Sequence, residues 1–139
     1  FPIWVATELF SFGMLSFFYR DLKTADKKEI ARDLYKTTYG NLDSWLRCCT
    51  DLRNICAHYG RLYYRVFSAV PATPKGFPVV LQRSLFDNIV MLKFLYPDRD
   101  RWNSEVLSAI IALLEEYAGD IELSHIGFPD NWEELLRAK

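Results

Sequence analysis

Apolar positions recur every three or four residues along most of this chain, and no stretch alternates strictly, so the pattern predicts helices rather than strands. Residues 3–20 form the first expected helix, with Ile3, Leu9/Phe10, Met14 and Phe17/Phe18 on its apolar side and Pro2 in a tolerated first-turn position. A second helix is expected over 27–38, capped by Asp26 with Glu29 completing a capping box, and burying Ile30, Leu34 and Tyr35. Gly40-Asn41 breaks the pattern. A third helix, over 42–59, carries Trp45, Cys48/Cys49, Leu52, Ile55/Cys56 and Tyr59 toward a core. The proline-rich stretch 70–80 reads as a loop, and a fourth helix follows over 80–95 with Leu81, Leu85, Ile89, Leu92 and Leu95/Tyr96 as its stripe. Pro97 stops it. Asp100 or Asn103-Ser104 opens a fifth helix over 102–118, which Gly119 closes, and Asp130 caps a last short one over 131–137. The expected fold class is all-α, a bundle-like packing of five or six helices.

Composition narrows this picture. The chain has 139 residues, 50% of them hydrophobic and 16% aromatic, which suits one domain with a real core. A net charge of −1 gives no whole-molecule attraction to nucleic acid, so any such contact needs a local basic patch. Three cysteines, two of them adjacent (Cys48, Cys49, Cys56), argue against a disulfide framework and for reduced, buried thiols. No C-x-x-C pair is present, and neither a metal nor another cofactor is expected. No apolar run reaches the roughly 18 residues of a membrane span, because Glu8 interrupts the stretch from Phe1 to Tyr19. With no leader pattern visible, a cytoplasmic protein without membrane contact is expected. The chain opens in mid-pattern, and it reads as the C-terminal portion of something longer.

A second, polar stripe runs along the third helix: Arg47, Asp51, Asn54 and His58, continuing to Arg61 and Arg65 if the helix extends past Gly60. Arg53 and His58, separated by four residues, are the equipment that metal-free RNA cleavage needs. A histidine, with an ordinary pKa of about 6.5, can take the 2′-hydroxyl proton or return one to the leaving oxygen. An arginine's planar fork can hold the scissile phosphate as charge builds on it. Asn54, one turn before His58, can orient the imidazole or donate to phosphate. One helix supplies one histidine, and a homodimer would supply the second proton-handling group. The R-x-x-x-x-H spacing alone is weak, since a charged stripe is most often a solvated helix face. Two other readings stay open: a non-catalytic module that grips RNA or a nucleotide in the same cleft, and a purely structural dimerisation domain.

The i±3 and i±4 neighbours of Glu8 are Trp4, Val5, Ser11 and Phe12, and a carboxylate among them is costly unless paired, so a buried pair with an arginine is expected. His125 stands alone in a loop and reads as structural or exposed. Trp4, Trp45, Trp102 and Trp132 read as core, as do Tyr59, Tyr63 and Tyr64 in preference to base-stacking platforms. Arg83, Arg99 and Arg101 are scattered and support no second site.

The run Leu52-Arg53-Asn54-Ile55-Cys56-Ala57-His58-Tyr59-Gly60-Arg61-Leu62-Tyr63-Tyr64-Arg65 follows Pro2-Ile3-Trp4-Val5, Glu8, Ser11-Phe12-Gly13-Met14-Leu15-Ser16 and Ser44-Trp45-Leu46. In order and spacing these segments resemble the C-terminal part of the Abi family of bacterial abortive-infection proteins, within the HEPN superfamily. The resemblance covers about the first half of the chain. It implies a HEPN-like helical fold and a dimer that brings two R-x-x-x-x-H motifs together. It further implies metal-independent endoribonuclease activity leaving a 2′,3′-cyclic phosphate, a role in antiviral defence, and RNA as partner, with an antitoxin or regulatory RNA or protein as a further one. By the family's pattern Arg53, Asn54 and His58 carry over as catalytic and Glu8 as a supporting acid on the first helix. Arg61 carries over as a phosphate contact, with Arg47 and Arg65 as further RNA contacts on the same stripe. Tyr64 stands where the pattern leads one to expect Asn, and a region before Pro2 that family proteins carry is absent from this sequence.

Overall fold

The computed structural model describes residues 11–139, so Glu8, Trp4 and the part of the first expected helix before Ser11 lie outside the described residues. Among the described residues all regular structure is helical, as the apolar periodicity predicts. Helix α1 (Phe12–Asp21) is capped by the Ser11 hydroxyl, which accepts from the Met14 amide. Helix α2 spans Thr24–Tyr35, three residues earlier than expected. Asp26 therefore sits inside the first turn, where its carboxylate favours the helix N-terminus by charge rather than as a cap. No side chain caps this helix, and the expected box with Glu29 does not form. Helix α3 (Tyr39–Ala57) starts at Thr38, whose hydroxyl accepts from the Asn41 amide.

The chain from His58 to Ser84 contains no helix, so the expected 70–80 loop is the middle of a longer connection. Helix α4 (Leu85–Leu95) opens on a capping box that the sequence reading missed: Ser84 accepts from the Asp87 amide, and Asp87 Oδ2 accepts from the Ser84 amide at 2.8 Å. Asp87 and Asn88 are buried, and Ser84 satisfies both, since its carbonyl accepts from the Asn88 amide side chain. Helix α5 is a continuous rod, 99–116, made of a first turn Arg99–Arg101, a π-helical segment Trp102–Leu107 and an α-helix Ser108–Glu116. Asp98 caps it, ahead of the residues expected to do so. A 3-10 turn (Leu123–Ile126) and a short helix α6 (Trp132–Leu136) complete the described elements. Asn131, not Asp130, occupies the α6 cap position, without a side-chain bond.

Helix α3 is the hub, with α1, α2 and α4 packed on it. Two small clusters lie along it: Leu42 with Tyr19 and Ala31, and Trp45 with Cys48 and Met91. The Trp45 indole donates to the Ala72 carbonyl at 2.7 Å, which fixes the long connection against the helix. The largest cluster lies on the far side of α4, where Phe86 and Val90 meet Trp102, Leu107, Ile126, Phe128 and Leu136. Helix α4 is thus apolar on two sides: Phe86, Val90 and Met91 are buried, the expected Leu85, Ile89 and Leu92 are half-buried against the core, and Leu81, also buried, precedes the helix. The π segment aims Trp102 and Asn103 at the chain end: the indole donates to the Leu136 carbonyl, and Asn103 exchanges two hydrogen bonds with Ala138.

Candidate functional site at the C-terminal end of helix α3

The first half of α3 is pinned by Leu42, Trp45, Cys48 and Leu52, all buried. Its last turn is not. Arg53, Asn54, Cys56, Ala57 and His58 are exposed, and Tyr59 is 99% exposed. The expected core stripe therefore stops at Leu52, with Ile55 half-buried, because nothing in the described residues packs over the helix end. The thiols follow the same gradient, from buried Cys48 through half-buried Cys49 to exposed Cys56. Burial pushes the Cys48 thiol up to about 11.

A specific backbone device ends the helix. The Tyr59 amide donates to the Cys56 carbonyl at 3.1 Å and the Gly60 amide to the Ile55 carbonyl at 2.8 Å. This is the Schellman pair of bonds, and it requires a left-handed residue at the position Tyr59 fills, with φ 53°. Glycine usually takes that position; here it stands one residue later. Gly60 is needed for space, since a Cβ there would lie 2.7 Å from Ile55 Cγ2 and 2.9 Å from the Ile55 carbonyl oxygen. His58, the residue just before the reversal, is held by its amide on the Asn54 carbonyl at 3.1 Å. Its ring stands in solvent rather than in the interior.

The site residues expected from the sequence distribute as follows. Arg53 and Asn54 are joined directly, with the guanidinium donating to Asn54 Oδ1 at 3.1 Å. His58 caps the same turn. Arg61 and Arg65 do not continue the helical stripe, because the chain leaves the helix at His58. They form their own turn, in which the Arg65 guanidinium donates to the Arg61 carbonyl at 2.9 Å. Arg47 lies earlier on α3, where with Arg83, Asp43, Ser44 and Ser68 it lines a small pocket of ≈ 340 Å³. Glu8 lies outside the described residues.

Sequence reading missed what anchors the segment after the motif. Tyr63 and Tyr64 both reach His125, with Tyr63 Oη 3.2 Å from Nδ1 and Tyr64 Oη 3.0 Å from Nε2. His125 has the structural role expected of it, and Tyr64, expected in the core, is 55% exposed against its ring. Tyr64 has φ 60°, a left-handed conformation that Asn tolerates better than Tyr.

The described residues thus expose a guanidinium and an amide, bonded to each other, on the last turn of one helix, and an imidazole at its cap position. Residues 1–64, a segment that contains the whole motif, match the family model described as Abi-like protein. No curated protein and no solved structure matches the chain. No helix among the described residues is long and apolar enough to cross a membrane.

Proposed function

We propose that the chain is a metal-independent RNA endonuclease of the abortive-infection type, working through Arg53, Asn54 and His58. The observation that carries this reading is that all three side chains are exposed on the last turn of α3, inside the Abi-like segment. In this mechanism the Arg53 guanidinium binds the scissile phosphate, and its bond to Asn54 sets the direction of its fork. The His58 imidazole takes the 2′-hydroxyl proton or protonates the leaving 5′-oxygen, which leaves a 2′,3′-cyclic phosphate. Arg61 and Arg65, one turn beyond, hold flanking phosphates, and Arg47 extends the track along α3.

Two proton transfers, one off and one on, favour two imidazoles at the cleft, and a second copy of the chain would bring the second. Exposed apolar side chains on α1, Met14 and Phe17, support such a pairing, because α1 packs on the helix that carries the motif. The test is incubation of single-stranded and structured RNA with purified protein in EDTA, with end-group analysis of the products and sedimentation in parallel. Cyclic phosphate ends from a dimer are expected, whereas cleavage that EDTA abolishes refutes the mechanism. RNA retention without cleavage, lost in Arg53→Ala or Arg61→Ala, would instead favour the binding-module reading.

A further inference from the structure

At the other end of α3, the described residues enclose a groove of ≈ 880 Å³. Lys36, which follows α2, lies three residues before the start of α3, and from Tyr39 to Arg53 the helix rises about 20 Å, so this groove is separate from the motif. In sequence its cations are scattered. In the fold, Lys36, Lys93 of α4, Arg99 of α5, and Arg137 and Lys139 beyond α6 line one space, against Glu134 as the single acidic side chain of the lining.

Arg137 is committed to Glu133 at 2.7 Å. Lys93 and Arg99 have no Asp or Glu side-chain partner among the described residues: Lys93 donates to the Leu135 carbonyl, and Arg99 to the main-chain oxygen of Lys139, the last residue. Lys93 is half-buried between Phe94 and Phe77, its Nζ 5.2 and 5.8 Å from the ring centroids. Burial, together with the charges of Lys139 and Arg99, holds its ammonium below the usual lysine range. Of these cations only Lys93 is half-buried, and Lys36, Arg99, Arg137 and Lys139 are exposed. Gathering like charges around one groove is unfavourable, and an anion placed among them relieves that cost. The half-buried Phe77 and Phe94 rings, packed edge-to-face at 6.0 Å, line the groove beside the cations and add apolar surface to it. The volume falls within the roughly 300–1,000 Å³ of small-molecule sites.

We propose that this groove binds a phosphate carried on a flat ring, either a nucleoside monophosphate or the phosphorylated end of an oligonucleotide, with the phosphate at Lys93, Arg99 and Lys139 and the ring against Phe77 and Phe94. This site stands independently of the RNA-cleavage reading. Titration calorimetry with AMP tests it. AMP binds and adenosine does not; Lys93→Met and Arg99→Ala each weaken AMP about tenfold, equal to about 1.4 kcal/mol, and Arg53→Ala leaves binding unchanged. Arg99 is exposed, so its variant keeps the test decisive if the Lys93 variant fails to fold. A 5′-phosphorylated trinucleotide binding more tightly than AMP identifies an RNA end as the source; equal affinity identifies the free nucleotide. No AMP binding at millimolar concentration, affinity indifferent to Arg99→Ala, or loss of binding in Arg53→Ala overturns the proposal.

Discussion

The imidazole of His125 stacks on the ring of Tyr64, with centroids 4.3 Å and planes 29° apart. Tyr63 Oη accepts from the Glu122 amide at 3.0 Å and lies 3.2 Å from His125 Nδ1. The other ring nitrogen, Nε2, faces Tyr64 Oη and, at 3.2 Å, Glu122 Oε2. The C-terminal half of the chain thereby holds the segment that leaves His58.

Replacing this ring should loosen the segment without unfolding the domain. His125→Ala removes two hydrogen bonds from tyrosines that water can reach, a loss of about 1 kcal/mol. Hydrogen exchange should rise across residues 61–66 and stay unchanged in α4. Equal exchange in both regions would show that His125 does not anchor the segment.

The helix reversal next to His58 makes opposite expectations for adjacent residues. Gly60→Ala drives a Cβ into Ile55 and should cost about 1–3 kcal/mol in denaturant unfolding. Tyr59→Gly relieves a left-handed, fully exposed residue and should be neutral or stabilising by up to about 1 kcal/mol, the gain being offset by extra freedom in the unfolded chain. A destabilising Tyr59→Gly would mean that the tyrosine is held by contacts rather than merely tolerated.

Stability should fall at alkaline pH. The buried Cys48 thiol keeps its proton to about 11, whereas in the unfolded chain it ionises near 9.0. The folded state therefore binds the proton more tightly, and its advantage, complete below pH 9, declines as pH rises to 11, by at most about 3 kcal/mol. Tyr19, pushed up to about 12 chiefly by burial, adds to the loss above pH 10. Melting temperatures across this range should drop in the native protein and drop less in Cys48→Ala. Thiol titration with a disulfide reagent should modify Cys56 first and Cys48 last.

Much of the scaffold was legible in the residues, for reasons that differ by element. Trp45, Cys48 and Leu52 repeat at helical spacing and are buried as expected. Pro97 ends α4 after Leu95 because it cannot extend the helix. Boundaries set by short side chains were less visible. Asp26 has the chemistry of a cap but sits inside a helix that begins at Thr24, and the Ser84/Asp87 box was hidden behind the apolar run Phe77–Leu81. The spacing of Arg53 and His58 pointed only weakly to a site, and the resemblance over the first half of the chain singled out Arg53, Asn54 and His58, whereas the end of the helix at His58 depended on Tyr59 adopting a conformation that tyrosine rarely takes. The contacts of His125 with Tyr63 and Tyr64 span about 60 residues of sequence, and no local pattern encodes them.

The most direct test of the central claim is the single-turnover rate of RNA cleavage in EDTA by the native chain and by His58→Ala. Loss of the proton-handling imidazole should slow cleavage by about 10²–10⁴-fold while RNA binding persists. A His58→Ala variant that cleaves at the native rate, or a native protein that cleaves only with a divalent cation, would contradict the account.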